Sequence, residues 1–275
     1  MKKWYAVIGD PIKQSMSPSM HESWFKENSI DAAYIPIHVP ADRLREAVEG
    51  LKNLGCSGWN VTVPHKSAII PFLHQLDPSA EQMNAVNTVR VLEDGTLIGY
   101  NTDGNGFVRS LEEAYGERSK DKKVLVIGAG GAARGIAFAL HSAGYGPIFF
   151  ANRTLEKAEQ LAANLSDSTV LSVAEAELSL SEFGLIVQTT SVGMNFSQKG
   201  LPLNLDNVLE GTIVADIIYN PLETEFLAEA RKRGAHTLNG VGMFVHQGAL
   251  AFETWTEVHP DTEFMNEKIT TTLGG

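Results

Sequence analysis

A glycine-rich stretch in the middle of the chain has the residue types and spacing of a dinucleotide-binding turn. Four apolar residues, Val124 to Ile127, come directly before the frame Gly128-x-Gly130-x-x-Ala133. The apolar run is rich in β-branched residues and predicts a buried strand, and the residues after the glycines predict a helix that ends before Gly144. A glycine turn between a strand and a helix is the context that this motif requires.

The small residues of this turn would each serve phosphate binding. Gly128 permits a tight turn, Gly130 lets a pyrophosphate approach the backbone, and Ala133 lets the helix lie close to the strand. The phosphates would face N–H groups at the helix start, which have no partner within the helix. The alternative is a glycine-rich turn in a parallel sheet that binds no ligand.

The next predicted strand indicates which dinucleotide would bind. Ile148 to Ala151 predicts this strand, and Asn152, Arg153 and Thr154 follow it. About 20 residues beyond the glycines, an NAD site usually has an acidic residue, whereas an NADP site offers arginine to the 2′-phosphate. Arginine binds phosphate through two parallel hydrogen bonds, so the sequence favours NADP over NAD. Arg153 could instead be a solvated side chain beside an ordinary helix cap.

Polar side chains also follow a predicted strand in the N-terminal part of the chain. Gly58 to Val61 predicts a strand, and the polar segment from Asn60 to Lys66 leaves its carboxyl end. Ligands of open α/β sheets bind beyond the carboxyl ends of the strands, so this segment is a candidate small-molecule site. Ser17 and Asp103 each stand at a predicted helix start, where helix capping is their alternative role.

The hydrophobic pattern around these candidates predicts alternating strands and helices. In the N-terminal part the order is β-α-β-α-β, which implies a parallel sheet. Its elements are a strand at 4–8, a helix from 17 to about 28, a strand at 33–38, a helix at 40–54 and the strand at 58–61. Two further strands, at 86–92 and 97–100, are joined by a turn, and strands alternate with helices again after residue 123.

Composition and charge exclude several other classes of function. The 275 residues carry a net charge of −11, which argues against nucleic acid or an anionic membrane as a partner. Cys56 is the only cysteine, and the N-terminus lacks a signal-peptide pattern, so we expect a cytoplasmic protein. No apolar stretch reaches the length of about 18 residues that spans a membrane. The histidines form no His-x-x-x-His pair, and we expect no metal site.

Several motifs together resemble the shikimate dehydrogenase family over nearly the whole chain. They are Ser15-Met-Ser-Pro18, Asn60-Val-Thr-Val-Pro-His-Lys66, Ala85-Val-Asn-Thr88, Asn101-Thr-Asp-Gly104, Gly128-Ala-Gly-Gly-Ala-Ala133, Asn152-Arg-Thr154 and Asn239-Gly-Val-Gly-Met243, together with Gln247. The resemblance implies NADPH-dependent reduction of 3-dehydroshikimate to shikimate, in the biosynthesis of chorismate and the aromatic amino acids. Asn84 stands where the family commonly has glycine, and because asparagine tolerates positive φ we expect that turn to persist.

The resemblance also implies two sets of binding residues. The substrate residues would be Ser15, Ser17, Asn60, Thr62, Lys66, Asn87, Asp103, Tyr219 and Gln247. The residues near NADP would be Gly128, Ala129, Gly130, Gly131, Ala132, Asn152, Arg153, Thr154, Lys157, Ile217, Gly240 and Met243. We therefore expect an α/β protein of two domains with a cleft between them. Residues 1–103 plus 242–275 would form a substrate domain with a mainly parallel sheet, and 104–241 a Rossmann-type NADP domain.

Lys66 and Asp103 are the expected catalytic residues. When hydride reaches the substrate ketone, negative charge grows on the oxygen, which the Lys66 ammonium can stabilise and protonate. Asp103 can hold Lys66 in place and bind a substrate hydroxyl, while His65 is expected to be a structural hydrogen-bonding residue. Two alternatives remain, a quinate/shikimate dehydrogenase with relaxed cofactor use and a non-catalytic nucleotide-binding relative. The sequence leaves open whether the protein is a homodimer or a monomer.

Overall fold

A computed structural model describes residues 2–194 and 200–274 of the chain. The chain divides into two compact units, each with its own six-stranded sheet. The first unit comprises Met1–Thr102 and Gln247–Met265, and the second comprises Asp103–His246 and Asn266–Gly275. None of the helices in the described ranges has the length and hydrophobicity needed to cross a bilayer.

The second unit includes residues 242–246 and 266–275, which the sequence assigned to the first domain. Hydrogen bonds to one carboxylate give the reason. The Glu113 carboxylate lies 2.8 Å from His246 Nε2 and accepts a hydrogen bond of 3.4 Å from Asn266 Nδ2. Both segments are therefore tied to the helix that carries Glu113.

The first unit contains a mixed sheet with helices between its strands. Its sheet order is β2-β1-β3-β5-β6-β4. β1 runs parallel to β2 and β3, and β4 runs parallel to β6. β5 is antiparallel to its neighbours β3 and β6, so five of the six strands share one direction and the predicted mainly parallel sheet is confirmed. The elements are β1 Lys3–Gly9, α1 Ser17–Glu27, β2 Ala32–His38, α2 Leu44–Asn53, β3 Gly58–Val61, β4 Gln75–Leu76, α3 Pro78–Met83, β5 Thr88–Val91 and β6 Leu97–Tyr100.

The core of the first unit forms where α2 packs against the sheet. Leu44, Val48 and Leu51 recur at helical spacing and are all buried, as the sequence pattern predicts. They share one hydrophobic cluster with Ala6 of β1 and Trp59 of β3. The predicted helix begins later than expected, because residues 41–43 form a tighter 3₁₀ turn instead.

The second unit has a fully parallel sheet in the order β12-β11-β10-β7-β8-β9. If β7 is numbered 1 and the sheet is read from the β9 edge, the strand order is 3-2-1-4-5-6, which is the order of the Rossmann fold. The predicted type of domain is therefore confirmed. Its strands are β7 Lys123–Ile127, β8 Ile148–Ala151, β9 Ser168–Leu171, β10 Phe183–Gln188, β11 Ile213–Asp216 and β12 His236–Leu238. Its helices are α4 Asp103–Tyr115, α5 Gly131–Ser142, α6 Leu155–Ala162, α7 Val173–Leu178 and α8 Glu225–Lys232. Two further helices, α9 Val241–Thr256 and α10 Thr262–Thr272, contribute residues to both units.

Candidate active site

The glycine turn of the second unit has the geometry of a phosphate cradle. Gly128 follows β7 with a φ of +115°, a backbone conformation that favours glycine. A Cβ atom at this position would also lie 2.6 Å from the hydroxyl oxygen of Thr189. At Gly130 and Gly131, by contrast, an added Cβ atom would have no described atom of the surrounding chain within 4 Å. The backbone at these two glycines is therefore open to an approaching ligand.

The helix that follows the turn presents its N-terminus without a side-chain cap. Gly130 is the N-cap residue of α5 and has no side chain with which to cap the first turn. The N–H groups of that turn carry the positive end of the helix dipole and suit a pyrophosphate. Ala133 is fully buried in the core of the unit, as close packing of helix and strand requires. The residues present therefore fit a dinucleotide.

The segment after β8 offers two cations and no acidic residue next to the strand end. Asn152 Nδ2 donates to the Thr154 carbonyl oxygen at 2.8 Å, which shapes the turn into α6. Arg153 and Lys157 are both exposed. Within residues 2–194 and 200–274, neither side chain forms an ion pair. Both cations are therefore available to a phosphate group.

Three residues predicted near the nicotinamide come together in the second unit. Ile217 follows β11, and a side chain at Gly240 would collide with its carbonyl oxygen. The Gly240 N–H donates to the Ile218 carbonyl at 3.0 Å, which holds the two segments in contact. Met243 packs against the same hydrophobic core as Ile217. Ile217 and Gly240 are thus in contact, with Met243 against the same core.

A buried carboxylate anchors the neighbouring loop. Asp216 accepts hydrogen bonds from the Ile218 N–H at 3.0 Å and from the Thr224 hydroxyl at 2.7 Å. Burial raises the pKa of Asp216 to about 6, although these two hydrogen bonds partly oppose the rise. The carboxylate therefore ties residues 217–224, which include Tyr219, to the end of the sheet.

Two of the predicted substrate residues, Asp103 and Tyr219, belong to the second unit. α4 begins at Asp103, and a side chain at Gly104 would collide with the Gly135 carbonyl of α5. The close approach of α4 and α5 thus fixes Asp103 relative to the glycine turn. The Tyr219 ring lies 5.1 Å from that of Phe244, and burial raises the pKa of the Tyr219 hydroxyl.

In the first unit, the backbone places Thr62 directly beyond β3. The Thr62 N–H donates to the Ile8 carbonyl at 3.0 Å. A side chain at Gly9 would collide with the Thr62 methyl group, so glycine is required at the end of β1. Asp10 then donates its N–H to the Val63 carbonyl at 2.9 Å. These contacts hold the segment that leaves β3 against the end of β1.

The rest of this segment is held by His65 and carries Lys66. His65 is buried, and its Nε2 donates to the Val39 carbonyl at 2.7 Å. This confirms the structural hydrogen-bonding role predicted for His65. Lys66 is half-buried, and its carbonyl accepts the Val86 N–H at 2.7 Å. Lys66 thus lies beside the segment that leads to Asn87.

A buried polar network in the first unit joins three predicted substrate residues, Asn60, Asn87 and Gln247, to Tyr34 of β2. Tyr34 Oη donates to Asn60 Oδ1 at 2.6 Å, and Asn60 Nδ2 donates to the Asn87 carbonyl at 3.1 Å. Asn87 Nδ2 lies 3.5 Å from Gln247 Oε1 of α9. Burial raises the pKa of Tyr34 well above its usual value, and the neighbouring Ser17 side chain partly lowers it.

The structure corrects one role considered for Ser17. Met16 is the N-cap residue of α1 and forms no side-chain cap, so the capping role of Ser17 is wrong. Ser17 is instead the first helical residue, and its N–H donates to Ser15 Oγ at 3.3 Å. The helix starts one residue earlier than the capping pattern predicts, which leaves the Ser17 side chain beside Tyr34.

The turn at Asn84 has the conformation expected for a residue that replaces glycine. Asn84 is the C-cap residue of α3, with φ +47° and ψ +38°, in the left-handed region. The expectation that asparagine preserves this turn is therefore confirmed. The Asn84 carbonyl also accepts a hydrogen bond of 2.9 Å from the Ser67 hydroxyl, just after Lys66.

Two threonines also belong to this network, since Asn60 Nδ2 donates to Thr88 Oγ1 at 3.0 Å and Asn87 Nδ2 donates to Thr102 Oγ1 at 2.8 Å. Sequence analysis did not single out these threonines or Tyr34. The two threonines lie within motifs quoted for their asparagine or aspartate, namely Ala85-Val-Asn-Thr88 and Asn101-Thr-Asp-Gly104. Their side chains could have been noticed there. Tyr34 lies in β2 and belongs to none of the motifs, so no feature of the sequence marks it as a member of the network.

Comparison with known protein families identifies the chain. Three family profiles match it: "Shikimate dehydrogenase substrate binding domain" at residues 7–89, "Shikimate / quinate 5-dehydrogenase" at 110–214 and "Shikimate 5'-dehydrogenase C-terminal domain" at 240–270. A protein of Lysinibacillus sphaericus (strain C3-41) named "Shikimate dehydrogenase (NADP(+))" is 54% identical over 275 residues, which covers 100% of both chains. The chain belongs to the shikimate dehydrogenase family.

Crystal structures of family members have the same fold. A shikimate dehydrogenase in complex with NADP+ is 39% identical, with a TM-score of 0.92 over 100% of this chain and 96% of the other. Shikimate 5-dehydrogenase from Listeria monocytogenes, in complex with shikimate and NAD, is 33% identical with a TM-score of 0.91. That match covers 98% of this chain and 96% of the other. The predicted two-part α/β fold is thus confirmed.

Proposed function

We propose that this protein catalyses the NADPH-dependent reduction of 3-dehydroshikimate to shikimate. The observation that carries the proposal is the polar network of the first unit, which gathers hydroxyl and amide side chains from distant segments. A relative of the same length, 54% identical, bears the name of an NADP-dependent shikimate dehydrogenase. The choice of cofactor is supported by the open glycine turn and by Arg153, which forms no ion pair with any residue that the structure describes.

The substrate residues match a ring that carries several hydroxyl groups and one carboxylate. Hydroxyl and amide side chains can both donate and accept hydrogen bonds, which each ring hydroxyl requires. A site that pairs every hydroxyl rejects analogues that lack one, because its own polar groups would remain unpaired. We assign substrate binding to Ser15, Ser17, Asn60, Thr62, Lys66, Asn87, Asp103, Tyr219 and Gln247.

The Rossmann geometry supports the proposed cofactor residues. Residues 128–132 would hold the pyrophosphate at the start of α5, and residues 152–154 with Lys157 would hold the adenosine 2′-phosphate. Ile217, Gly240 and Met243 would lie on the nicotinamide side. The chemistry that NADPH supplies when bound is hydride transfer to the substrate ketone.

Lys66 is the proposed proton donor of the reaction. Its ammonium group stabilises the ketone oxygen as negative charge develops there, and then transfers one proton to that oxygen. The ketone carbon thereby gains a hydride with its two electrons, the ketone oxygen gains a proton from Lys66, and the product is the alcohol of shikimate. Asp103 is the second proposed catalytic residue, whose carboxylate orients Lys66 and accepts a hydrogen bond from a substrate hydroxyl.

The proposed roles in binding follow the domain boundaries that were predicted from the sequence. We propose that residues 1–103 plus 242–275 bind mainly the substrate and residues 104–241 mainly NADP, with Tyr219 of the second range on the substrate and Met243 of the first on the nicotinamide side. Cys56, the only cysteine of the chain, supports a reducing compartment such as the cytoplasm. The assembly is proposed to be a homodimer or a monomer, which light scattering of the purified protein distinguishes.

A steady-state assay tests the proposed function. NADPH absorbance is followed with 3-dehydroshikimate, and the reverse reaction is followed with shikimate or quinate and either nicotinamide cofactor. We expect turnover with 3-dehydroshikimate and NADPH, and a preference for shikimate over quinate. Preferred turnover of quinate with NAD would favour the quinate alternative, and absence of turnover with every pair would contradict an enzymatic role.

A further inference from the structure

The amide groups of the substrate network are held in one orientation by backbone atoms. Asn87 Oδ1 lies 2.9 Å from the Thr102 backbone nitrogen, which can only donate, so the atom facing it must be the amide oxygen. Asn60 Nδ2 lies 3.1 Å from the Asn87 carbonyl, which can only accept, so the atom facing it must be the amide nitrogen. Neither side chain can be turned over without losing its bond to the backbone.

The hydroxyl group of Thr88 lies between these two fixed amides. It is 3.0 Å from Asn60 Nδ2 and 2.9 Å from Asn87 Oδ1. Because the first atom can only donate and the second can only accept, the hydroxyl must accept from Asn60 and donate to Asn87. Thr88 itself has no exposed surface, Asn87 is 2% exposed and Asn60 is 8% exposed, so bulk water has little access to these bonds.

The same direction of donation extends to both ends of the network. Tyr34 Oη must donate to Asn60 Oδ1, its partner at 2.6 Å. At the other end, Asn87 Nδ2 donates to Thr102 Oγ1 at 2.8 Å and faces Gln247 Oε1 at 3.5 Å. Since its oxygen faces Asn87, the Gln247 amide presents its nitrogen on the opposite side.

We propose that Thr88 is a positioning residue for substrate binding, whose hydroxyl locks Asn60 and Asn87 in the orientation that the substrate hydroxyls require. The inference rests on the proposed function, because both asparagines are substrate residues there. Each amide keeps a backbone partner without Thr88, so we expect the fold to survive loss of the hydroxyl. It leaves Asn60 Nδ2 and Asn87 Oδ1 each short of one buried hydrogen bond, and both side chains become less constrained.

Two substitutions at this position separate the hydroxyl from the shape of the side chain. Thr88→Val removes the hydroxyl and keeps a β-branched side chain in β5, whereas Thr88→Ser keeps the hydroxyl. For Thr88→Val we expect the KM for 3-dehydroshikimate to rise about tenfold, as for loss of a buried hydrogen bond. The KM for NADPH should change less than about twofold, and kcat less than the KM for 3-dehydroshikimate. Thr88→Ser should restore the KM to within about threefold of the original protein.

A tyrosine pair provides a second test if Thr88→Val does not fold. Tyr34→Phe removes one hydroxyl from the far end of the network, and Tyr5→Phe is its control, since the Tyr5 ring stacks on Phe25 and Trp255 in the same unit. A raised KM for 3-dehydroshikimate in Tyr34→Phe alone supports the proposal. Equal effects of the two changes, or none, overturn it.

Asn87→Ala separates this inference from the proposed function. If Asn87→Ala raises the KM for 3-dehydroshikimate and Thr88→Val does not, the positioning role is wrong and the substrate site stands. If neither substitution changes that KM, the substrate assignment is wrong and the positioning role fails with it. A parallel rise in both KM values for Thr88→Val would indicate a general structural defect and would also overturn the proposal.

Discussion

Replacement of Arg153 by alanine tests how the protein distinguishes NADPH from NADH. In the proposed site the guanidinium group binds the 2′-phosphate, which NADH lacks. A hydrogen bond to a charged group contributes about 1.5–3 kcal/mol, and two parallel bonds to one phosphate are favourable for arginine. Arg153 is exposed, so solvent weakens the interaction and the lower part of that range applies.

We therefore expect Arg153→Ala to lower kcat/KM for NADPH by about 10- to 30-fold, equivalent to roughly 1.4–2 kcal/mol. The value for NADH should change by less than about twofold, because no 2′-phosphate is present to lose a partner. Steady-state kinetics with each cofactor at saturating 3-dehydroshikimate measures both. The loss with NADPH should shrink as the ionic strength of the assay rises, since salt screens an exposed charge pair.

The control for this experiment is Arg118→Ala, which removes an exposed arginine of the same unit in the loop after α4. It should leave both cofactors unaffected. Equal losses with NADPH and NADH in Arg153→Ala would show that Arg153 maintains the turn after β8 and does not select the cofactor. No loss with NADPH would assign the 2′-phosphate to another cation, of which Lys157 is the nearest along the chain.

Three further substitutions test the remaining parts of the proposed site. Lys66→Ala should lower kcat at least about 100-fold, because the ammonium group matters most in the transition state. Steady-state kinetics at saturating NADPH measure this effect, and a raised KM for 3-dehydroshikimate with unchanged kcat would contradict the role of Lys66 as the acid. Gly128→Ala should lower the free energy of unfolding by about 1 kcal/mol or more, because residue 128 has a positive φ and lies close to the Thr189 hydroxyl. Urea unfolding measures this loss, and a variant as stable as the original protein would contradict the expected strain. Asp216 has a pKa of about 6 when folded against 3.8 for an unburied carboxyl, so the unfolded chain loses its proton first and stability should fall as the pH rises from about 4 to about 6. The difference between the two pKa values corresponds to a loss of roughly 3 kcal/mol in the free energy of unfolding. Urea unfolding across this pH range should show a smaller loss for Asp216→Asn than for the original protein, and an equal loss would contradict the raised pKa.

The glycine turn could be predicted from the sequence because its determinants are local. A run of β-formers, three glycines and a helical pattern lie within one short segment, and the structure has β7, the positive φ of Gly128 and α5 in that order. Neighbouring residues impose these conformations before any distant contact forms. The left-handed turn at Asn84 was expected on other grounds, because the family that the chain resembles commonly has glycine there and asparagine tolerates positive φ.

Predictions at element boundaries were less accurate because adjacent residues compete for the same role. Ser15 and Ser17 flank Met16, and the helix begins at Ser17 without a side-chain cap. Local pattern favoured Ser17 as the cap, whereas the structure places its side chain beside Tyr34. The helix start therefore departs from the local capping pattern at a residue whose side chain contacts a distant strand.

The orientation of the substrate amides depends on contacts that no local pattern contains. The motifs around Asn60 and Asn87 specify an amide at each position, but an amide side chain can present either its oxygen or its nitrogen to a given neighbour. The choice is made by the Thr102 N–H, 15 residues beyond Asn87, and by the Asn87 carbonyl, 27 residues beyond Asn60. Only the fold brings these groups within 3.1 Å of the amides, so the direction of donation, and with it the role of Thr88, follows from the structure.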